Sequence, residues 1–141
     1  MYSRMEIYKS ESFMVQHSEE QLLLRCKKSL HSEEFRAGLT KALQYAREHQ
    51  IKKWLLDLRE IGKLSEADET WVQVQLFPQI MIHLGMKNYV AVVMDERCYA
   101  NMVDESGLLG LKSYNSFIII NTFYQLEEAA SWLEGKHPNY V

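Results

Sequence analysis

The chain of 141 residues has little of the residue types that punctuate or staple a small fold: two cysteines, two prolines and six glycines. Cys26 and Cys98 lie far apart and outside any Cys-x-x-Cys or Cys/His spacing. That excludes a disulfide framework or a zinc motif and suits a reducing cytosol. So few glycines and prolines also exclude collagen-like and low-complexity chains, and no internal repeat is present. Neither sign of charge dominates: 16 Lys and Arg stand against 19 Asp and Glu, a net charge of −3, without the basic excess that nucleic-acid binding requires. No apolar run approaches the roughly 18 residues of a membrane span, and Met1–Glu6 carries no hydrophobic signal core. What the chain does have is 47% hydrophobic and 25% charged residues. These predict one globular domain over residues 1–141, with a tail at 136–141, and the cysteine usage makes the cytoplasm its expected place.

Periodicity gives the order of elements. Phe13, Val15 and His17 alternate with Met14 and Gln16, and Gln21–Cys26 resumes an apolar run after the polar Ser18-Glu19-Glu20 turn, which predicts a hairpin. Met5 and Ile7 add a leading edge strand. From Ser32, the expected N-cap, Phe35, Leu39, Ala42, Leu43 and Ala46 form one helical stripe, with Glu33 and Glu34 at the positive end of its dipole and Arg47 near the negative end. Lys53–Leu58, Tyr89–Met94 and Phe117–Ile120 read as buried strands, Cys98–Glu105 as a short helix, and Leu126–Leu133 as a closing helix stopped by Gly135. Strands alternating with helices after a hairpin predict a mixed sheet with parallel central strands. Its core is expected to hold Trp54, Leu56, Val90, Val92 and Ile119.

Catalytic signatures are missing. The chain has no G-x-S-x-G, G-x-G-x-x-G, P-loop or H-E-x-x-H motif, and the histidines at 17, 31, 49, 83 and 137 have no ligand spacing. No metal, cofactor or enzyme activity is expected. Asp57 and Asp95 end two predicted parallel strands, where α/β sheets bind ligands but where aspartates also form turns. Cys98, after Asp95-Glu96-Arg97, reads either as a thiolate stabilised by a helix dipole or as a small half-buried residue.

The second helix, from Ser65 to a stop at Gly85, is the unusual element. Ser65 followed by Asp68 resembles a capping box, and Pro78 is expected to kink or break the helix. Trp71, Val74, Phe77, Met81 and Leu84 make one apolar line, and Val72, Leu76 and Ile80 make a second beside it. Only Gln75, Gln79 and His83 form a polar stripe. A helix lying on a sheet needs one apolar stripe. The second line therefore marks Val72, Leu76, Phe77, Ile80 and His83 as a candidate surface for a second subunit, another protein, a membrane or an apolar ligand, unless the kink turns the two halves of the helix into different parts of the core.

The segments Ser32-Glu33-Glu34-Phe35-Arg36, Lys52–Leu58, Ser65–Trp71 with Phe77-Pro78, and Phe123 with Leu126–Leu133 together resemble the SpoIIAA-like proteins, a divergent branch of the STAS domain of bacterial anti-sigma-factor antagonists. The resemblance spans about residues 5–135. It implies a mixed sheet of four to five strands with about four helices, in a non-enzymatic module that binds a protein partner or itself as a homo-oligomer. It also implies, as the alternative, apolar-ligand binding or membrane contact. Antagonists of this family switch partners through a phosphorylated Ser in an Asp-Ser-x-Gly motif after the Leu-Asp-Leu strand. The matching position in this chain is Ser65, but Leu64-Ser65-Glu66-Ala67 lacks both the Asp and the Gly, and Ser65 reads as an N-cap.

Overall fold

Short alternating runs pair first, and the computed structural model, which describes residues 4–106, 112–114 and 117–136, shows them as an antiparallel meander of β1 (Arg4–Lys9), β2 (Phe13–Ser18) and β3 (Gln21–Cys26). The chain then crosses in sequence through α1 (Ser32–His49) to β4 (Lys53–Asp57), through a second helical unit to β5 (Asn88–Val93), and through α4 (Glu96–Ser106) and β6 (Lys112–Tyr114) to β7 (Ile118–Phe123), before closing with α5 (Leu126–Glu134). Strands β3, β4, β5 and β7 are parallel neighbours, and β6 pairs antiparallel on β7. The described residues thus build a seven-stranded mixed sheet in the order β1-β2-β3-β4-β5-β7-β6. The four to five strands that the resemblance implies are exceeded by the edge strand β1, which the periodicity of Met5 and Ile7 anticipates, and by β6 at the opposite edge.

The second helical unit consists of α2 (Glu66–Trp71), a π-helical turn (Val72–Leu76) and α3 (Phe77–Leu84), so the described helices form four units, as expected. Pro78 does not break it. The Phe77 amide bonds the Val72 carbonyl five residues back, and Pro78, which has no amide to give, falls in the first turn of α3. The wide turn also sets the register. A π turn holds an extra residue and so shifts the face that α3 presents relative to α2, and residues spaced by four in the regular α3 then span only about 80° of that face. Leu76, Ile80 and Leu84 accordingly all face the core, whereas Val74 is 59% exposed and Ile82 70% exposed. The expected division of the two apolar lines does not hold: Leu76 and Ile80 of the second line are buried together with Leu84 of the first, while Val74 of the first line is on the surface. Gly85 ends the helix at φ +72°, a conformation that favours glycine.

The two sheet faces carry separate cores. Leu22, Leu24, Trp54, Val90 and Ile118 pack beneath α1 and α3, and Leu55, Ala91 and Val93 pack against Ala129 and Leu133 of α5. Of the expected core residues, Trp54 and Val90 are buried, while Leu56, Val92 and Ile119 are only half-buried. The N-cap of α1 is His31 rather than Ser32, and it caps without a side-chain hydrogen bond. The Ser32 hydroxyl turns instead to Asp68. The short helix expected over Cys98–Glu105 is α4, and Gly107, Gly110 and the tail beyond residue 136 lie outside the described residues.

Candidate functional site

Parallel pairing aligns residues in rows across the sheet, and two such rows make the floor of a cavity. Trp54 stands beside Val90, and Val90 beside Ile120. One step toward the carboxyl ends of the strands, Leu24, Leu56, Val92 and Thr122 stand side by side. Leu64, Val72, Leu76 and Phe77 roof these rows, Met102 of α4 contributes to the wall, and the partly open cavity has a volume of about 250 Å³. The half-burial of Leu56 and Val92 has its cause in this cavity, because both face it. The polar residues on its lining are Lys63, Glu69, Gln73 and Thr122.

The roof is fixed at both ends. At its start the Ser65 hydroxyl accepts from the Asp68 amide at 3.1 Å, so Ser65 is the N-cap that its spacing predicts and its oxygen is already engaged. The Asp68 side chain accepts from Ser32 Oγ at 3.0 Å, and its other oxygen lies 3.4 Å from Arg36 Nε, an ion contact outside hydrogen-bond geometry. The Arg36 guanidinium in turn sits 5.7 Å over the Trp71 ring. At the far end Ile80 and Leu84 are buried against the sheet.

The predicted surface residues therefore separate. Val72, Leu76 and Phe77 line the cavity from above, Ile80 is packed into the core at 1% exposure, and His83 pairs with Gln79 at 3.1 Å on the outer side of α3. Leu64, Met102 and Thr122 were not legible as lining residues. Thr122 carried one faint sign, a single hydroxyl on the sheet-facing side of Ile118–Phe123, the strand whose predicted end at Ile120 falls short of it.

The strand-end aspartates are turn formers. Asp57 accepts from the Arg59 amide at 3.0 Å and holds its guanidinium at 2.8 Å, and Asp95 Oδ1 accepts from the Cys98 amide at 2.7 Å at the start of α4. That amide, followed by the Cys98 thiol, holds the Asp95 carboxyl below its ordinary range. Burial, followed by the hydrogen bond and the negative charge of Asp95, pushes the Cys98 thiol up. These contacts favour the neutral thiol over the thiolate at Cys98. Burial likewise pushes Cys26 far up, with Asp57 and Asp68 adding to it.

The fold also makes one pairing that spacing could not show. His17 Nδ1 meets the Tyr45 hydroxyl at 2.7 Å, the Tyr45 ring stacks on His49 at 4.0 Å, and the two imidazoles lie 6.3 Å apart. No group of three or more metal-ligating side chains forms among the described residues, and no described helix is long and apolar enough to cross a membrane. Set against family models, curated proteins and solved structures, the chain matches none.

Proposed function

We propose that the protein is a non-enzymatic α/β binding module whose cavity, between the sheet and the helical roof, takes a small apolar ligand. The cavity itself carries the reading. At about 250 Å³ it exceeds the roughly 150 Å³ engineered voids that stay dry and admit benzene, and its wall is mostly aliphatic and aromatic. Three residues offered by the sequence as a partner surface, Val72, Leu76 and Phe77, turn inward onto it, which favours a ligand over a protein as their occupant. A STAS-like assignment belongs to the same proposal, supported by the parallel crossovers that follow the hairpin. So does a cytoplasmic location, which two free cysteines suit.

A second reading keeps the protein partner or second copy, and it rests on Val74 and Ile82, exposed on the outer side of the roof. Native mass spectrometry of protein purified from its own host, combined with calorimetric titration with naphthalene, separates the two. The ligand reading expects a monomer that retains an apolar compound or binds naphthalene, and expects Val92→Phe, which fills the floor, to lose both while staying folded. A wild-type protein that carries no compound and binds no naphthalene would overturn it. A dimer dissociated by Ile82→Glu would favour the partner.

A further inference from the structure

The floor row Leu24, Leu56, Val92, Thr122 is aliphatic at three positions and bears a hydroxyl at the fourth. Thr122 is only 8% exposed, it lines the cavity, and its side chain makes no hydrogen bond to any described residue. A valine of nearly the same shape would complete the row without leaving a polar group there. A hydroxyl on an otherwise mostly apolar wall loses its solvent hydrogen bond when an apolar ligand displaces water, unless the ligand bonds it in turn. The other polar atom on the floor is the Trp54 indole nitrogen. It has no partner either, but it is sealed within the packing rather than presented to the space. At the rim, Lys63 and Glu69 both face the cavity with opposite charges, so neither sign of ligand gains a net field there. An ionised group carried inside would be desolvated without a counter-charge, which costs far more than one hydrogen bond returns.

We infer that the cavity selects an uncharged ligand with an apolar body and one hydrogen-bonding group, such as a phenol, alcohol or ketone, and that Thr122 is the specificity-determining residue that bonds this group. The inference rests on the ligand-binding reading above and names its chemical class. Both roles of a hydroxyl are open to Thr122, so the ligand group can be a donor or an acceptor.

Calorimetric titration at about pH 7 with naphthalene, naphthol and naphthoate, three probes of one ring system that differ in a single substituent, tests it. Naphthol is expected to bind about two- to tenfold more tightly than naphthalene, and naphthoate more weakly than either. Thr122→Val should erase the naphthol preference, with naphthalene bound at least as tightly as by wild type because no hydroxyl is left to desolvate, and Thr122→Ser, which keeps the hydroxyl, should retain the preference. Circular dichroism of each variant confirms the fold, and valine is well suited to a strand. Equal binding of naphthol and naphthalene, or a naphthol preference that survives Thr122→Val, would overturn the role of Thr122 while leaving the cavity as a ligand site. Tightest binding of naphthoate would overturn the uncharged class and point to Lys63. If no probe binds, the inference and the ligand-binding reading fall together.

Discussion

The Ser32 hydroxyl donates to Asp68 Oδ2 across 3.0 Å, and this contact ties the first turn of α1 to the first turn of the helix that roofs the cavity. Asp68 is 3% exposed, so the carboxylate is held away from water and depends on its neighbours. Its own amide is bonded by Ser65, and the half-exposed Arg36 supplies a charge at 3.4 Å that contributes little by itself. Asp68→Ala is expected to lower stability by about 1.5–3 kcal/mol, the range for a lost hydrogen bond to a charged group. Ser65→Ala should cost about 0.5–2 kcal/mol through the uncapped amide. Urea unfolding midpoints compare the two. An unchanged midpoint for Asp68→Ala would mean that the two helix starts are not coupled through it.

A second carboxylate makes stability depend on pH. Glu34 Oε1 accepts from the Ser12 hydroxyl at 2.6 Å and from the Ser12 amide at 3.0 Å. These bonds, the hydroxyl one first, hold its pKa below the ordinary glutamate range. A folded pKa below the unfolded one means that the contribution is complete above the ordinary glutamate value and is lost as pH falls through the folded value. Glu34→Gln should therefore flatten the acid side of a plot of urea midpoint against pH while leaving the neutral side parallel to wild type. Two curves of the same acid slope would show that Glu34 plays no part in acid unfolding.

Gly38 lies in the middle of α1, where alanine normally gains about 1 kcal/mol through helix propensity. At this position the sign reverses. A Cβ would stand 2.4 Å from Phe13 Cδ2 and 2.9 Å from Tyr8 Cδ2, and Phe13 is fully buried edge-on against Phe35, so it has nowhere to go. Gly38→Ala is expected to destabilise by about 1–3 kcal/mol, as overpacking does. A thermal midpoint equal to or above wild type would show that the β1–β2 hairpin yields to the helix.

How much of this was legible in the sequence follows from the range of each cause. Strands and helices rest on local periodicity, so β2 to β5, α1 and α5 lie where alternation and the 3.6-residue stripe put them. The short edge strand β6 did not, because three residues carry too little pattern. The exchange of Val74 for Leu76 and Ile80 in the core has a local cause. The π turn at Val72–Leu76 rotates everything after it, and Val74 and Val72 look alike until that turn is known. The cavity was out of reach for another reason. Leu24, Leu56, Val92 and Thr122 become neighbours only through the parallel register of four strands, and no spacing along the chain encodes that register. The Ser32–Asp68 bond is hidden in the same way, since each residue has an adequate local role as a helix-start residue.

The roof supplies the sharpest contrast between neighbouring apolar residues. Ile80 and Ile82 are two positions apart on α3, yet Ile80 is 1% exposed beneath the helix and Ile82 is 70% exposed above it. Glutamate at position 80 would place an unpaired carboxylate among Leu76, Leu84 and the sheet, where desolvation costs several kcal/mol with nothing to offset it. Ile80→Glu is therefore expected to unfold the chain or leave it molten, with near-ultraviolet circular dichroism lost. Ile82→Glu should fold normally, with a stability change within about 0.5 kcal/mol. Sedimentation of Ile82→Glu beside wild type then reads the outer face alone, because the core beneath it is untouched. A folded Ile80→Glu with a native near-ultraviolet spectrum would show that the π turn does not turn Ile80 toward the sheet, and Val72, Leu76 and Phe77 would lose their place over the cavity with it.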